Sequence, residues 1–322
     1  MNRICLLFSF VFFSLLTCSA EEKKPSGIVA KPVFNSFTQA RVDLRRDTLF
    51  YKQEKVIFGL DVKFNENWSV RVTVDFIRMT TLYLKPAVLT WRKDNWTVES
   101  GVIFTSEMDK TAMQFWGNRF IDRVSADRWL YSPTADLGFR ATYKWNDFIT
   151  TDVSIVGGNG YQRLTEKYHP QPAFRAILSP VKPLQLGGYI AARKEEKITE
   201  TLFNCFAHLQ MGNKWKITGE YHHKANCRFA DGHKIDVASI YSTYQLLSWL
   251  ALMGRYDFVK SNRVEPFGES WNVQEDGRLF IGGLIFRCFP SVRLSIDYWS
   301  KRPSVKRIDK EDWLYLCVEY KY

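Results

Sequence analysis

Basic side chains that could bind anions are spread along the whole chain instead of being gathered in one motif. Arginine stays protonated in proteins, and its planar guanidinium donates paired hydrogen bonds to a carboxylate or phosphate. Eight basic residues alternate with apolar neighbours and are candidates for one polar, inward-facing wall: Arg71, Lys85, Arg140, Arg175, Lys216, Arg255, Arg287 and Arg293. Such a wall would attract anions.

Acidic residues occupy equivalent positions and leave a second interpretation open. The acidic candidates for the same wall are Asp61, Asp75, Glu99, Asp152, Glu220, Asp257 and Asp297. Carboxylates that match the bases would give a salt-bridged wall without ion selectivity. The formal net charge of +11 favours a weak preference for anions. These inward assignments depend on strand register, because a slip of one residue reverses every side chain of a strand.

Other residues that could do chemistry form no recognised enzymatic or metal-binding motif. The sequence has no glycine-rich phosphate loop, no paired-cysteine metal spacing and no nucleophile elbow. His208 beside a serine could serve a lipid hydrolase, and a soft-metal site could be built from His222, His223, Cys227 and His233. We predict no enzymatic activity, no metal and no cofactor. One disulfide pair is left open among Cys205, Cys227, Cys288 and Cys317.

The elements that would position this wall are short strands with alternating polarity. Residues 56–64 have an apolar residue at every second position. A tight turn follows at Asn65-Glu66-Asn67, and the alternation resumes at Trp68. The same arrangement recurs along the chain and predicts about sixteen strands. We predict an all-β fold, a transmembrane antiparallel up-and-down β-barrel, because each segment of about ten residues could cross a bilayer when tilted.

The connections are predicted to alternate between short turns and long loops. Short turns are expected near residues 65, 94, 146, 181, 213, 247 and 289. Longer connections are expected at 45–54, 105–134, 157–171, 193–198, 223–233, 257–277 and 301–311. Outer-membrane barrels sort their connections in this way, with turns on the periplasmic side and loops outside. A soluble β-sandwich is the alternative, and it has no reason to sort them.

Aromatic residues are numerous in a chain of modest hydropathy. They make up 16% of the 322 residues, while the mean hydropathy is −0.25. Five tryptophans fall beside short turns and are predicted to form a girdle at the membrane–water interface: Trp68, Trp96, Trp145, Trp215 and Trp249. In a barrel only alternate residues face lipid, so the average hydropathy stays low.

The two ends of the chain predict export and barrel closure. Residues 1–20 have the pattern of a cleaved signal peptide, with Arg3 before a short apolar stretch and small residues around Ala20. A membrane-spanning helix or a lipid anchor on Cys18 are the weaker alternatives. Residues 21–322 are predicted to form a single barrel domain. The final strand alternates up to Tyr322, as the closing strand of an outer-membrane barrel does.

The connection at 105–134 is too long to serve only as a link between strands. Its apolar residues argue against disorder, and we predict that this third outer loop folds into the lumen and constricts it. The basic candidates in the loop are Lys110, Arg119, Arg123 and Arg128.

Several short motifs resemble the phosphate-selective porin O and P type family, especially its Bacteroidetes-like members. They are the segments 135–139, 143–147 and 156–161, with Phe115-Trp116-Gly117 before them and Tyr320-Lys321-Tyr322 at the end. The resemblance implies a sixteen-stranded outer-membrane porin, commonly a homotrimer, with a loop that constricts the pore. Phosphate selectivity is the finer implication, although 105–134 lacks the dense lysine cluster of phosphate-specific members.

Together these features predict an outer-membrane porin for passive diffusion of small hydrophilic solutes, with a weak anion preference. Its expected partners are the lipid bilayer and small anionic or neutral solutes, and nucleic acid is excluded because the positive charge is not gathered in one patch. A plugged barrel that acts as a surface binding or assembly protein is the alternative. A barrel-borne lipid hydrolase is a more distant one.

Overall fold

The computed structural model describes residues 28–77, 81–129, 131–164, 168–264 and 268–322. The predicted signal peptide at 1–20 lies outside the described residues. No helix in the described ranges is long and apolar enough to cross a membrane.

Sixteen antiparallel strands close into one barrel, in which each strand pairs with the barrel strands before and after it along the chain, and the last strand pairs with the first. The strands are β1 Val29–Asp43, β2 Thr48–Lys63, β3 Trp68–Ile77, β4 Thr81–Lys93, β5 Trp96–Phe104, β6 Ala135–Lys144, β7 Ile149–Val156, β8 Gln171–Val181, β9 Leu184–Glu195, β10 Ile198–Met211, β11 Trp215–Ala225, β12 Lys234–Leu247, β13 Leu250–Ser261, β16 Gly277–Phe289, β17 Val292–Pro303 and β18 Glu311–Lys321. The predicted fold class is confirmed.

The remaining elements are short and lie in the connections. A two-stranded ribbon, β14 Arg263–Val264 and β15 Glu269–Ser270, lies between β13 and β16. Helical turns are α1 Met108–Lys110, which continues as the π-helical turn Thr111–Trp116, α2 Ser125–Arg128, and the 3₁₀ turns Tyr161–Arg163 and Cys227–Phe229.

Side-chain alternation gives the barrel an apolar outside and a polar inside. On β10, Phe203 and Ala207 are exposed on the outer face, whereas Glu200, Asn204 and His208 are buried on the inner face. Successive side chains of a strand point to opposite faces, so the period of two in the sequence becomes two chemically different walls.

The seven predicted short turns all connect strands at one end of the barrel, which we call the turn end. They occupy residues 64–67, 94–95, 145–148, 182–183, 212–214, 248–249 and 290–291. The opposite end, the loop end, carries the connection at 105–134. The five girdle tryptophans all lie at the turn end with exposed side chains. Their role at a membrane interface remains a prediction.

Two connections at the loop end are shorter than the sequence suggested. The predicted loops at 45–54 and 193–198 are largely strand, and the actual links are 44–47 and 196–197. Asp47 and Glu196 adopt positive φ angles of 48° and 50°, which lets the chain reverse within a few residues. The charged residues around them suggested loops, yet they belong to strands that extend to the rim of the barrel.

Candidate functional site

The connection at 105–134 folds back into the barrel, as predicted. It contains α1 with its π-helical continuation, a reversal at Gly117 and then α2. Gly117 has φ of 64°, and a Cβ there would lie 3.2 Å from the Lys216 ammonium, so glycine suits both the turn and the close approach. Apolar loop side chains are buried against the inner wall: Met108, Phe115, Trp116, Phe120, Ile121 and Trp129.

The first anchor of the loop is Asp109 in α1, which receives two wall arginines. Arg140 donates to Asp109 at 2.9 Å and also to Glu99 on the neighbouring strand at 2.8 Å. Arg175 contacts Asp109 as well, and its Nε donates to Asp152 at 2.6 Å. Each carboxylate accepts a charge-assisted bond, so the first half of the loop is fixed to β5–β8.

The second anchor is Arg255 on β13, whose side chain is 1% exposed. Arg255 Nη2 donates to Asp257 at 2.7 Å, and Nη1 donates to the backbone carbonyl of Arg123 in the loop. The Trp129 indole donates to the same Asp257 carboxylate at 2.9 Å. A buried charge is stable only when it is paired, and here the pairing includes loop backbone.

The third anchor is a buried polar cluster around Glu220. Ser125 Oγ donates to Glu220 at 2.8 Å and lies 3.3 Å from His222 Nε2, while Tyr241 OH donates to the other carboxylate oxygen at 2.7 Å. Asn204 lies 2.9 Å from the other imidazole nitrogen. The serine binds the carboxylate directly, unlike a catalytic triad, in which histidine stands between the two. This cluster holds α2 against β11 and β12.

His208, the histidine considered for hydrolysis, packs under the loop instead. Its Nδ1 lies 2.7 Å from Thr218 Oγ1, and its ring stacks on Phe115 with centroids 3.9 Å apart. Within the described ranges, no serine is hydrogen-bonded to His208.

Basic side chains accumulate between the loop and the turn end. Lys216 donates to the Trp116 carbonyl at 3.1 Å, and Arg293 donates to the Gly117 carbonyl at 3.0 Å. Arg287 is the cross-strand partner of Arg293, and both lie close enough to Lys216 for electrostatic repulsion. Glu319 pairs with Arg293. We call Lys216, Arg287 and Arg293 the turn-end cations.

The other predicted basic residues lie in different surroundings. Arg71 is half-exposed and pairs with Asp61 at 2.5 Å, away from the residues that contact the loop. Lys85 donates to the Thr134 hydroxyl at the end of the loop. Among the loop candidates, Lys110 donates to the Gln114 side chain, and Arg119 and Arg123 share Asp127. Arg128 Nη1 donates to both carboxylate oxygens of Asp122. Three of the four loop candidates therefore pair with a carboxylate.

The pKa values of two loop carboxyls are shifted in opposite directions by their surroundings. Burial raises the pKa of Glu107 to about 7, against the opposing influence of His222 and Lys224. Burial also acts to raise the pKa of Asp109, but Arg175 and Arg140 outweigh it and hold the value below its usual range.

The residues considered for a metal site do not converge. His222 faces the lumen, His223 lies 2.8 Å from Asp236 on the outer face, and His233 stacks on Trp271. Across the described ranges, no group of three or more metal-binding side chains comes together. The four described cysteines are all free, so the disulfide left open by the sequence is not formed: Cys205, Cys227, Cys288 and Cys317.

Two cavities lie on opposite sides of the loop. The turn-end cavity, of about 450 Å³, is bounded by Phe115, Gln114 and His208 together with short turns. The loop-end cavity, of about 180 Å³, is bounded by β1, β2, β17, β18 and the segment 119–128. Inward aromatic side chains on β17 and β18 line the second cavity. These aromatic residues are not among the candidates that the sequence predicts, although their alternation with outward-facing apolar residues in the last two strands was a usable signal.

The fold of this barrel is similar to those of solved outer-membrane channels and porins. The structure is similar to the outer membrane channel DcaP of Acinetobacter baumannii, with a TM-score of 0.71 and 12% identity. The match covers 94% of this chain and 100% of the DcaP chain. It is similar to OprB of Pseudomonas putida over 91% of this chain and 94% of that one, with a TM-score of 0.70 and 10% identity.

A third similar structure is an anion-selective porin from Comamonas acidovorans. It covers 92% of this chain and 100% of its own, with a TM-score of 0.64 and 7% identity. At these identities the similarity establishes the fold. Comparison of the sequence with known protein families and with curated proteins finds no match.

Proposed function

We propose that this protein is an outer-membrane porin that lets small hydrophilic solutes diffuse passively and prefers anions. The observation that carries the proposal is the distribution of charge around the internal loop. Buried ion pairs fix the loop to the wall, whereas among the described residues Glu319, which pairs with Arg293, is the one carboxylate in a salt bridge with the turn-end cations. A solute that passes the loop would meet an excess of positive charge.

The architecture of the barrel supports the membrane part of the proposal. The outer face carries alternating exposed apolar side chains, and the five tryptophans at the turn end suit an interface. Export through a signal peptide at 1–20 and assembly as a homotrimer belong to the same proposal. Of the similar structures, one is named a channel and another anion-selective, and both share this barrel architecture.

Phosphate is proposed as one permeant anion among several, not as the specific substrate. Carboxylates already engage the loop arginines: Asp127 pairs with both Arg119 and Arg123, and Asp122 pairs with Arg128. Arginines that already hold carboxylates have fewer donors left for a tetrahedral anion. The weak preference would therefore arise mainly from the turn-end cations.

Conductance in a planar bilayer tests the proposal. Purified, refolded protein should produce discrete current steps, and the reversal potential in a potassium chloride gradient should indicate preferential flow of chloride. Replacement of chloride by phosphate should reduce the current without abolishing it. Folded protein that carries no current would exclude a porin and favour the plugged barrel, and a cation-selective reversal potential would contradict only the anion preference.

A further inference from the structure

The loop-end cavity combines aromatic rings with hydrogen-bond donors that find no acceptor in the described part of the chain. Trp299 and Tyr315 stack with centroids 4.3 Å apart, and Trp313 meets Tyr315 edge to face at 6.1 Å. All three rings line the cavity, together with Phe37. Inner walls of a water-filled barrel are usually polar, so four aromatic residues at one place call for a physical reason.

Two buried donors at this cavity are unsatisfied. The Trp299 indole N–H and the Arg128 Nε–H have no hydrogen-bond partner among the described residues, although both residues line the cavity. Unpaired buried donors are rare in folded proteins because each forfeits its hydration. Arg128 uses its Nη1 for Asp122 and lies over the Trp299 ring at 5.1 Å, so its Nε remains for another acceptor.

Arg41 adds a cation that forms no salt bridge with any of the described carboxylates. Its guanidinium lies 4.8 Å from the ring centroids of both Phe50 and Trp313, and it donates to the Tyr315 hydroxyl at 3.2 Å. The carboxylates that line the cavity have other partners, because Glu54 pairs with Lys52 and Asp122 pairs with Arg128. The rings hold Arg41 in place, and its remaining donors are suited to an anion.

We infer that the loop-end cavity binds a small aromatic carboxylate. A carboxylate is purely an acceptor and would bind the free donors of Arg41, while an attached ring would pack on the aromatic wall. Small side-chain shifts of Trp299 and Arg128 toward the cavity on binding would bring their enclosed N–H groups within reach of the same carboxylate. The volume of about 180 Å³ suits one ring, since a cavity of about 150 Å³ accommodates benzene. The inference rests on the proposed function, as it names a solute class that the porin would take up at its loop end.

Titration calorimetry with benzoate on the full chain folded in detergent tests the site without requiring conductance. Benzoate should bind, and acetate, which lacks the ring, should bind at least about tenfold more weakly. Trp299→Phe keeps a ring but removes the N–H, and the loss of one hydrogen bond to a charged group should weaken benzoate about tenfold or more. Trp249→Phe is the matched control at the turn end and should bind like wild type.

Arg41→Gln provides a second variant in case Trp299→Phe does not fold, because Arg41 is only partly buried. It too should weaken benzoate about tenfold. Equal affinity for benzoate and acetate, or unchanged affinity in a folded Trp299→Phe or Arg41→Gln variant, would overturn the inference. Conductance without benzoate binding would contradict only this site. Binding without conductance would contradict the porin and leave the site standing.

Discussion

Arg255 and Arg71 both extend from the barrel wall into the lumen, and both pair with an aspartate, yet their surroundings differ. The Arg255 side chain is 1% exposed and contacts the loop, whereas the Arg71 side chain is 47% exposed and bonds Asp61 away from the loop. The same residue type thus performs two tasks in one barrel. Under the loop, arginine is a buried anchor, and elsewhere it is a hydrated wall group.

The difference follows from desolvation. A buried charge that loses its partner has no water to replace it, while an exposed pair exchanges readily with solvent. We therefore expect variants at the loop contacts to change the stability of the protein and the position of the loop. Variants among exposed cations should change ion preference with little effect on stability.

The largest effect is expected for Arg255→Ala. Removal of this guanidinium leaves Asp257 buried without its cation and breaks the bond to the Arg123 carbonyl. The free energy of unfolding should fall by about 3–5 kcal/mol, as urea titration in lipid vesicles would measure. Single-channel currents should become noisier because the loop loses an anchor.

The double variant Arg255→Met with Asp257→Asn is the control for this prediction. It removes both charges at similar volume and should recover most of the lost stability. A fall of less than about 1 kcal/mol for Arg255→Ala would place Arg255 in the same class as Arg71 and remove the contrast.

The next effect concerns Glu107, whose pKa burial raises to about 7 from an ordinary value of 4.5. The unfolded chain releases this proton first, so the Glu107 contribution to stability falls as pH rises from about 4.5 to 7. The Glu107→Gln variant has no carboxyl to ionise at this position, so it does not lose stability in this way as pH rises. Its stability relative to wild type should therefore rise by about 3 kcal/mol between pH 4 and pH 8 in the same urea assay. A pH-independent difference between the two proteins would contradict the buried position of this carboxyl.

Arg287→Glu tests the turn-end cations, where the expected change is in ion preference. Reversal of one charge should alter the local interaction with a passing ion by about 1 kcal/mol, roughly fivefold in local anion concentration. The reversal potential in a salt gradient should shift toward cation flow, while the urea midpoint stays close to wild type. Arg287→Lys is the matched control and should keep the anion preference. If Arg287→Glu kept the anion preference, the turn-end cations would not lie on the path of the permeating ions.

The smallest effect is expected for Arg71→Ala. The pair with Asp61 is hydrated and lies outside the loop contacts, so its loss should cost about 0–1 kcal/mol. Urea titration beside Arg255→Ala measures the contrast directly. If Arg71→Ala lowered the free energy of unfolding as much as Arg255→Ala does, solvent exposure would not explain the difference between the two arginines.

The sequence by itself determined the barrel, because side-chain alternation is a local property of each strand. The period of two, the tight turns and the last strand indicated the class and about sixteen strands, and the length of 105–134 with its apolar residues indicated an internal loop. Local signals failed at 45–54 and 193–198, where charged residues belong to strands that continue to the rim.

Only the tertiary structure decided which basic residues are anchors. Arg255 meets a loop carbonyl 132 residues away in sequence, and Arg140 meets Asp109 at a separation of 31. Ser125 and Glu220, 95 residues apart, form a contact that neither local pattern specifies. Alternation states that a side chain faces inward, but its partner depends on the path of the loop through the lumen. That path is fixed by packing and desolvation across the whole barrel, which no single segment of sequence contains.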